Sequence, residues 1–195
     1  MLNFLRINTV SDPLFGKLFN LYNTSFPHNE RRSWEGLEHE TIYEKRFQLN
    51  VLLKDNEFVG LFNYWTFERF NYIEHIAIVP ALRDHKLGSE AVEMFKKQSK
   101  LPIIIEVEMP NNPLAIRRIR FYEQQNFSVL SHNYAQPPYD DESDFFHSEL
   151  LMCNDIHFGN THFEMIKETL YSQVYHYKLE SPVSQKDFQT LNGSY

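Results

Sequence analysis

The chain has 195 residues, and its 19 Lys and Arg against 26 Asp and Glu leave a formal net charge of −7. The length fits one domain with a single sizeable core, and the acidic balance argues against a general nucleic-acid binder, which needs basic residues to neutralise phosphates. A lone cysteine, Cys153, cannot form an internal disulfide, so a reducing compartment is expected. The first residues lack a secretory-signal pattern and no apolar run is long enough to span a membrane. We therefore expect a cytoplasmic protein with neither membrane nor nucleic acid as a partner.

The first half of the chain alternates between helix-like and strand-like patterns. Asp12 followed by Pro13 is typical of a helix start, because Asp caps free N–H groups and Pro tolerates the first helical position. The polar run 54–57 lies between two apolar runs and predicts a hairpin turn. The predicted elements are a strand over 2–8, a helix over 12–27, a helix over 33–46, and strands over 47–53 and 58–67.

The second half contains a strand–helix–strand pattern over 72–79, 89–98 and 102–109. Such a unit joins two parallel strands through a right-handed crossover. The remaining predicted elements are a helix over 114–125, strands over 127–134 and 145–152, and a tail helix over 161–172. The sequence therefore predicts an α/β fold of the α+β type: a mixed, mostly antiparallel sheet with a central parallel strand pair, flanked by helices.

The segment 76–89 runs from a buried strand through a short loop straight into a helix. Free backbone N–H groups at a helix start, together with the helix dipole, favour a phosphate or pyrophosphate. Gly88 permits close approach of the backbone, and Arg83 and Lys86 add positive charge. By itself this pattern also fits an ordinary strand–helix turn with solvated charges.

Two motifs resemble those of the GNAT superfamily of acyl-CoA-dependent N-acyltransferases. Residues 83–88 resemble the family's pyrophosphate loop, Arg/Gln-x-x-Gly-x-Gly/Ala, with Lys86 where the family usually has its first glycine. Residues 112–127 resemble its Asn-x-x-Ala…Phe-Tyr-Glu-x-x-Gly-Phe helix, with Asn126 in place of the glycine. Asparagine tolerates the left-handed conformation that this glycine usually provides. The likeness is strongest over 72–127.

The resemblance implies a GNAT N-acetyltransferase domain over 1–153, with 154–195 as a C-terminal helical extension packed on the same domain. It implies acetyl-CoA as the acyl donor, held between the two central parallel strands. Backbone groups of Ile76, Ala77, Ile78 and Val79 would bind pantetheine, and the residues around the pyrophosphate would be Arg83, Asp84, His85, Lys86, Leu87, Gly88 and Ser89. Asn112 would contact pantetheine or would only cap its helix.

The resemblance also suggests catalytic residues. Tyr122 matches the position where many members keep a tyrosine beside the thioester sulfur, and there it can protonate the leaving thiolate; a core tyrosine is the alternative. Glu74 is our prediction for the general base, because a carboxylate is costly on a buried strand unless it is paired or faces a cleft. Its neighbour His75 is expected on the opposite face of the sheet. Glu106 and Glu108 are competing candidates for the base.

Other charged groups carry less information. Arg117, Arg118 and Arg120 fit a solvated helix face better than a contact with the CoA 3′-phosphate. The segment 26–32 lies where this family usually forms part of the acceptor pocket. The acidic segment 140–144 would attract a cationic amine, although acidic loops are more often simply solvated.

The predicted function is that of an N-acetyltransferase, in which a primary amine attacks the acetyl-CoA thioester directly while backbone N–H groups polarise its carbonyl. A non-catalytic acyl-CoA-binding or regulatory domain that keeps the same fold is the alternative. No metal is predicted, because His157 and His162 are five residues apart and no His-Glu-x-x-His pattern occurs. The sequence leaves open which small-molecule or peptide amine is the acceptor, and whether the protein is a monomer or a homodimer.

Overall fold

A computed structural model describes residues 1–139 and 146–177, and here the strands form one sheet with helices on both faces. The strands are β1 (Leu2–Arg6), β2 (Phe47–Lys54), β3 (Glu57–Thr66), β4 (Asn71–Ile78), β5 (Ile103–Glu108), β6 (Ser128–Val129), β7 (Tyr134–Gln136) and β8 (His147–Cys153). The helices are α1 (Phe15–Ser25), α2 (Trp34–Tyr43), α3 (Leu87–Gln98), α4 (Pro113–Gln124), α5 (Ile156–Thr161) and α6 (Phe163–Thr169), with 3₁₀ turns at His28–Glu30 and Pro80–Leu82 and a π-helical turn at Leu170–Val174. Across these two described ranges, no helix is both long enough and apolar enough to cross a membrane.

The sheet has the strand order β1-β2-β3-β4-β5-β8-β6, and β7 also pairs with β8. Neighbouring strands are antiparallel except β4 and β5, which run parallel and are connected through α3. The predicted fold, a mostly antiparallel sheet with one central parallel pair, is therefore confirmed. The predicted hairpin between β2 and β3 turns at Asp55 and Asn56, whose φ angles of 52° and 69° these two residue types tolerate.

Apolar side chains on the two faces of the sheet form two cores. The first core lies under α1, α2 and the C-terminal residues, and Trp65 and Tyr72 are among its fully buried side chains. The second core lies under α3 and α4 and includes Phe62 and Phe95. Burying a large apolar side chain stabilises the fold by about 1.5–3 kcal/mol. The C-terminal residues of the first core are Phe163, Ile166, Leu170, Tyr171, Val174 and Tyr175.

Two predicted elements are interrupted. The strand predicted over 127–134 is divided into β6 and β7, and between them the Asn160 side chain accepts a hydrogen bond of 2.9 Å from the Ser131 N–H. The helix predicted over 161–172 is divided at His162, whose ring nitrogen lies 3.0 Å from the Phe158 carbonyl oxygen. Both interruptions involve side-chain contacts that local propensity does not encode. Residue 145, the predicted start of the last long strand, lies outside the described residues.

The parallel pair β4–β5 is short. It consists of Asn71 opposite Ile103, Tyr72 opposite Ile104 and Ile73 opposite Ile105. Beyond Ile73 the two strands are no longer paired, although β4 continues to Ile78 and β5 to Glu108. A cleft opens between them.

A β-bulge lies where the pairing stops. On β3, Asn63 faces His75 and Tyr64 faces Ile73, so Glu74 is an extra residue without a partner. A bulge reverses the alternation of side chains along a strand. As a result Glu74 and His75 both face Tyr139. The Tyr139 hydroxyl donates a hydrogen bond of 3.1 Å to Glu74, and the ring centroids of His75 and Tyr139 are 6.0 Å apart. The expectation that these two side chains lie on opposite faces was wrong.

Candidate active site

The cleft between the diverging strands has a volume of about 710 Å³. Its walls come from β4, the start of α3, one side of α4, and the ends of β5 and β8. The predicted site residues among its walls are Glu74, Ile76, Ala77, Ile78, Arg83, Asp84, Lys86, Leu87, Gly88, Ser89 and Tyr122. Val79, His85 and Asn112 lie outside the walls. The structure thus brings most of the predicted residues together at one place.

The edge of β4 that faces the cleft has lost its strand partner. Beyond Ile73, the backbone polar groups on this side of β4 are not paired with β5. At the far end Arg83 Nε donates a hydrogen bond of 3.2 Å to the Ile78 carbonyl. Unpaired backbone groups on a strand edge can bind an extended ligand that carries amide groups. This edge therefore suits the pantetheine contacts predicted for 76–79.

The loop before α3 has an unusual backbone. Asp84 and Lys86 have φ angles of 66° and 60°, in the left-handed region. Asp tolerates this region, whereas a lysine there is strained by roughly 1–2 kcal/mol. Lys86 is the N-cap of α3, and among the described residues no side chain caps that helix end. The free N–H groups of the first turn, with Arg83 and Lys86 beside them, suit an anion. Lys86 thus adopts a backbone geometry that glycine usually supplies.

Gly88 follows at the second position of α3. A Cβ built there would lie 3.6 Å from the nearest atom of the Phe121 ring, which is ordinary van der Waals contact. Packing within the protein therefore does not require a glycine. Because glycine in a helix interior costs up to about 1 kcal/mol relative to alanine, the space above Gly88 points to close approach by a ligand.

Tyr122 lies on α4 with its ring in the second core, and 9% of the residue is exposed. Its hydroxyl has no hydrogen-bond partner within 1–139 and 146–177. Burial raises the pKa of Tyr122 to about 12. The hydroxyl is therefore protonated at neutral pH and free to donate a hydrogen bond or a proton into the cleft.

Glu74 is held by three donors. Arg32 Nη2 lies 2.9 Å from Oε1, the Tyr139 hydroxyl donates to the same oxygen at 3.1 Å, and Trp65 Nε1 donates to Oε2 at 3.1 Å. The Glu74 side chain is only 1% exposed. Arg32 also donates to the Val174 carbonyl at 2.8 Å. Removing either partner of this buried ion pair would leave the other charge uncompensated, which is costly.

Glu106 lies on β5 just after the last paired residue and is surrounded by tyrosines. The Tyr72 hydroxyl donates to its Oε2 at 2.7 Å, and the Tyr134 and Tyr175 hydroxyls also donate to its carboxylate. Burial raises the pKa of Glu106 to about 7, although the three tyrosine hydrogen bonds oppose that rise. A carboxyl group with this pKa exchanges protons readily near neutral pH.

Three further carboxylates lie near Glu106 along the cleft. Glu108 and Glu149 are directly opposite each other on β5 and β8, and Glu30 lies on the turn after α1. Burial raises the pKa of Glu149 well above its usual value, and the negative charges of Glu106, Glu30 and Glu108 raise it further. Sequence reasoning missed Glu149, although its position two residues before the buried Leu151 places it on the same face of the strand.

Asn112 and Arg117 have structural partners. Asn112 caps α4, accepting hydrogen bonds of 2.9 Å from the N–H groups of both Leu114 and Ala115. Arg117 is ion-paired with Asp84. Arg120 is exposed on the same helix, and its predicted place on a solvated helix face stays a prediction.

Cys153 is buried, and burial raises the pKa of its thiol to about 11. No group of three His, Cys, Asp or Glu side chains among the described residues is placed to hold a metal ion. The predicted acidic segment 140–144 lies outside the described residues. The structure adds four side chains to the candidate site that the sequence did not single out: Glu149, Arg32, Tyr134 and Tyr175.

The model of the Acetyltransferase (GNAT) family matches residues 15–127. A protein from Bacteroides thetaiotaomicron described as an acetyltransferase from the GNAT family is 35% identical, with a TM-score of 0.84 over 90% of this chain and 99% of that chain. None of the curated proteins matches the chain. The chain belongs to the GNAT acetyltransferase family and is an acyltransferase.

More distant solved structures share the fold. The ribosomal-protein-S18-alanine N-acetyltransferase from Escherichia coli is 16% identical, with a TM-score of 0.55 over 80% of this chain and 94% of that chain. A GNAT family acetyltransferase from Elizabethkingia anophelis with acetyl-CoA bound is 12% identical, with a TM-score of 0.55 over 78% of this chain and 96% of that chain.

Proposed function

We propose that this acyltransferase moves an acetyl group from acetyl-CoA to a primary amine by direct attack, without a covalent enzyme intermediate. The observation that carries the proposal is the cleft at the divergence of β4 and β5. One of its walls is the unpaired edge of β4, another is the uncapped start of α3, and the free hydroxyl of Tyr122 faces it. The acetyl-CoA-bound relative with the same fold supports this choice of donor.

The donor would bind along the second-core side of the sheet. Its pantetheine amides would replace the missing hydrogen-bond partners on the edge of β4, and its pyrophosphate would lie against 83–89. The bulge at Glu74 takes one residue out of the ladder with β3 beside the point where the thioester carbonyl would lie. Backbone N–H groups there would stabilise the negative charge that develops on the carbonyl oxygen.

The amine attacks the thioester carbon, its proton passes to a base, and the carbon–sulfur bond then breaks. Tyr122 supplies a proton to the departing CoA thiolate, because its high pKa keeps the hydroxyl protonated. We propose Glu106 as the base that accepts the amine proton. Its pKa near 7 suits that role, whereas Glu74, our prediction from the sequence, is engaged in the ion pair with Arg32 and suits positioning.

A thermal-shift titration with acetyl-CoA, CoA and a longer acyl-CoA tests the donor. A ligand present at about a hundred times its dissociation constant adds about 2.7 kcal/mol to the free energy of unfolding. Release of CoA thiol in the presence of amines then tests transfer. Failure of all three ligands to raise the Tm would contradict the proposal, and binding without thiol release for any amine would support the non-catalytic alternative.

Replacing Tyr122 by Phe tests the proton donor. We expect kcat to fall by about a hundredfold or more, since general acid catalysis contributes on that scale, while the Kd for acetyl-CoA changes little. Steady-state kinetics and a binding titration on the same variant measure the two effects. Lost affinity with unchanged turnover of the remaining complex would remove Tyr122 from the mechanism.

A further inference from the structure

An unpaired carboxylate in the cleft has no role in the reaction described above. Glu149 is 9% exposed and lines the cleft. Within the described residues its side chain has no hydrogen bond and no ion pair. A buried carboxyl group without a partner is unfavourable, and such groups concentrate at functional sites.

The neighbours of Glu149 make the burial of its carboxyl group still more unfavourable. Glu108 lies directly opposite it in the β5–β8 ladder, and like charges in that position repel each other. Glu106 shares this face of β5, because residues two apart point to the same side. Glu30 lies on the turn that follows α1 and also lines the cleft. Within 1–139 and 146–177, the one cation that is ion-paired with any of these four carboxyl groups is Arg118, whose Nη1 lies 3.1 Å from Glu108 Oε2.

The four carboxyl groups can be placed relative to the proposed donor site by the core that each set of residues contacts. Tyr72, Tyr134 and Tyr175, which bind Glu106, belong to the first core. Tyr122 and the start of α3 belong to the second core. The carboxyl groups therefore lie on the face of the sheet opposite the proposed donor site, on the side from which an acceptor would enter.

We propose that the acceptor carries a second cationic group, such as the distal ammonium of a diamine, and that Glu149 binds this group together with Glu108 and Glu30. The inference rests on the proposed function, because it deepens the acceptor side of the same cleft. In the described part of the chain no three such side chains converge on a metal position, and this favours an extended organic cation over a metal ion. The reacting amine lies nearer Glu106, and the second cation supplies the missing partner of Glu149.

Three amines with four carbon atoms each separate this proposal from simple amine acetylation. They are 1,4-diaminobutane, 1-aminobutane and 4-aminobutanoate. We expect kcat/KM for the diamine to exceed that for 1-aminobutane by about tenfold or more, because hydrogen bonds to charged groups are stronger than those between neutral groups. The aminocarboxylate is expected to be the poorest substrate. Equal kcat/KM for the diamine and the monoamine would overturn the proposal while leaving acetyl transfer established.

The variant Glu149→Gln tests the residue itself. We expect it to reduce the ratio of kcat/KM for diamine over monoamine towards one, whereas Glu68→Gln, which removes an exposed carboxylate from the loop after β3, keeps the wild-type ratio. We also expect Glu149→Gln to raise the Tm at pH 8, because a carboxyl group whose pKa is raised on folding destabilises the native state as pH increases. A lower Tm, or an unchanged substrate ratio, would show a structural role for Glu149 and contradict the subsite.

A binding measurement makes this test independent of turnover. Calorimetric titration of 1,4-diaminobutane into the CoA-saturated protein is expected to show binding that Glu149→Gln weakens by about tenfold, a change of about 1.4 kcal/mol. If the wild-type protein does not bind 1,4-diaminobutane, the second-cation proposal is overturned, whether or not any amine is acetylated. Absence of thiol release with normal diamine binding would instead contradict the proposed transfer.

Discussion

A carboxyl group enclosed by three tyrosine hydroxyls combines two opposing influences on its proton affinity. Burial favours the neutral acid, and each hydroxyl that donates to Glu106 favours the carboxylate. Their balance places its pKa at about 7, against an ordinary value of 4.5. Between pH 4.5 and about pH 7 the native state therefore binds a proton that the unfolded chain does not bind.

Replacing Glu106 by Gln has two expected consequences. In the wild type kcat/KM rises as pH increases through about 7, because Glu106 becomes able to accept the amine proton; the variant loses this rise and most of its activity. Because the pKa of Glu106 is raised on folding, its contribution to stability is fully present below pH 4.5 and is lost as pH rises through 7. The free energy of unfolding of the wild type, relative to the variant, is thus expected to fall between pH 5 and pH 8.

Urea denaturation at both pH values measures the stability difference, and initial rates over the same range measure the profile. Glu68→Gln, which removes an exposed carboxylate, serves as the control for the change in net charge. A variant that keeps the wild-type rate profile would exclude Glu106 as the base.

Two glycines offer a matched comparison for the donor site. Gly88 and Gly16 are both the second residue of a helix, in α3 and α1, and a Cβ fits at both positions. Replacement by Ala is expected to leave stability unchanged or to raise it by up to about 1 kcal/mol in each case. Gly88→Ala is expected to raise the Kd for acetyl-CoA at least about tenfold by blocking close approach, whereas Gly16→Ala leaves it unchanged. Equal affinities in a fluorescence or calorimetric titration would contradict the assigned pyrophosphate contact.

Among the elements, the segment after β8 contributes directly to the site. The GNAT family model ends at residue 127, but Tyr175 donates to the Glu106 carboxylate and the Val174 carbonyl accepts from Arg32. These contacts join the C-terminal residues to both carboxylates proposed for catalysis and positioning. The segment is therefore part of the first core and contacts the carboxylates proposed for catalysis and positioning.

Tyr175→Phe tests that contribution. Removing a hydroxyl that lowers the pKa of Glu106 is expected to move the rising part of the pH–rate profile to higher pH. Tyr177→Phe is the control, because Tyr177 packs against Phe146 and Tyr171 and does not contact Glu106. The pH dependence of kcat/KM is measured for both variants. If the two pH–rate profiles coincide, Tyr175 does not influence the pKa of the base.

The elements that the sequence predicted well are those whose signals are local. Apolar spacing in α1 and α3 and the polar turn at Asp55 and Asn56 identify their elements without reference to the rest of the chain. The bulge at Glu74 escaped prediction because it arises from the register of β3 against β4. A one-residue offset there was enough to reverse the expected direction of His75.

In the candidate site too, residues with a local sequence signal were predicted and those grouped only by the fold were not. Gly88 and Tyr122 were identified because each lies in a short motif. The grouping of Glu106 with Tyr134, Tyr175 and Glu149 depends on β5, β7, β8 and the C-terminal segment meeting in the fold. Only the strand period gave any signal for Glu149, since it indicates a carboxyl group on a buried face.

At the scale of the whole molecule, the cleft separates charge across the sheet. Arg83 and Lys86 lie at the start of α3, whereas Glu106 and Glu149 lie on the face of the first core. An anionic donor and a cationic acceptor would thus approach from opposite sides and meet where β4 and β5 part. This arrangement also limits repulsion between the free enzyme's net negative charge and the phosphates of the donor.

The divergence of β4 and β5 further divides the sheet mechanically. Within the described residues, strands β1–β4 and β5–β8 are joined in the ladder only through Asn71, Tyr72 and Ile73 and their partners, so native-state hydrogen exchange is expected to reveal two groups of amides with separate opening free energies. An acyl-CoA whose amides bridge the gap would join those groups into one cooperative unit. A single opening free energy in the ligand-free enzyme would contradict this division. The donor would then act as a structural tie between the halves of the enzyme, present before transfer and lost when CoA departs.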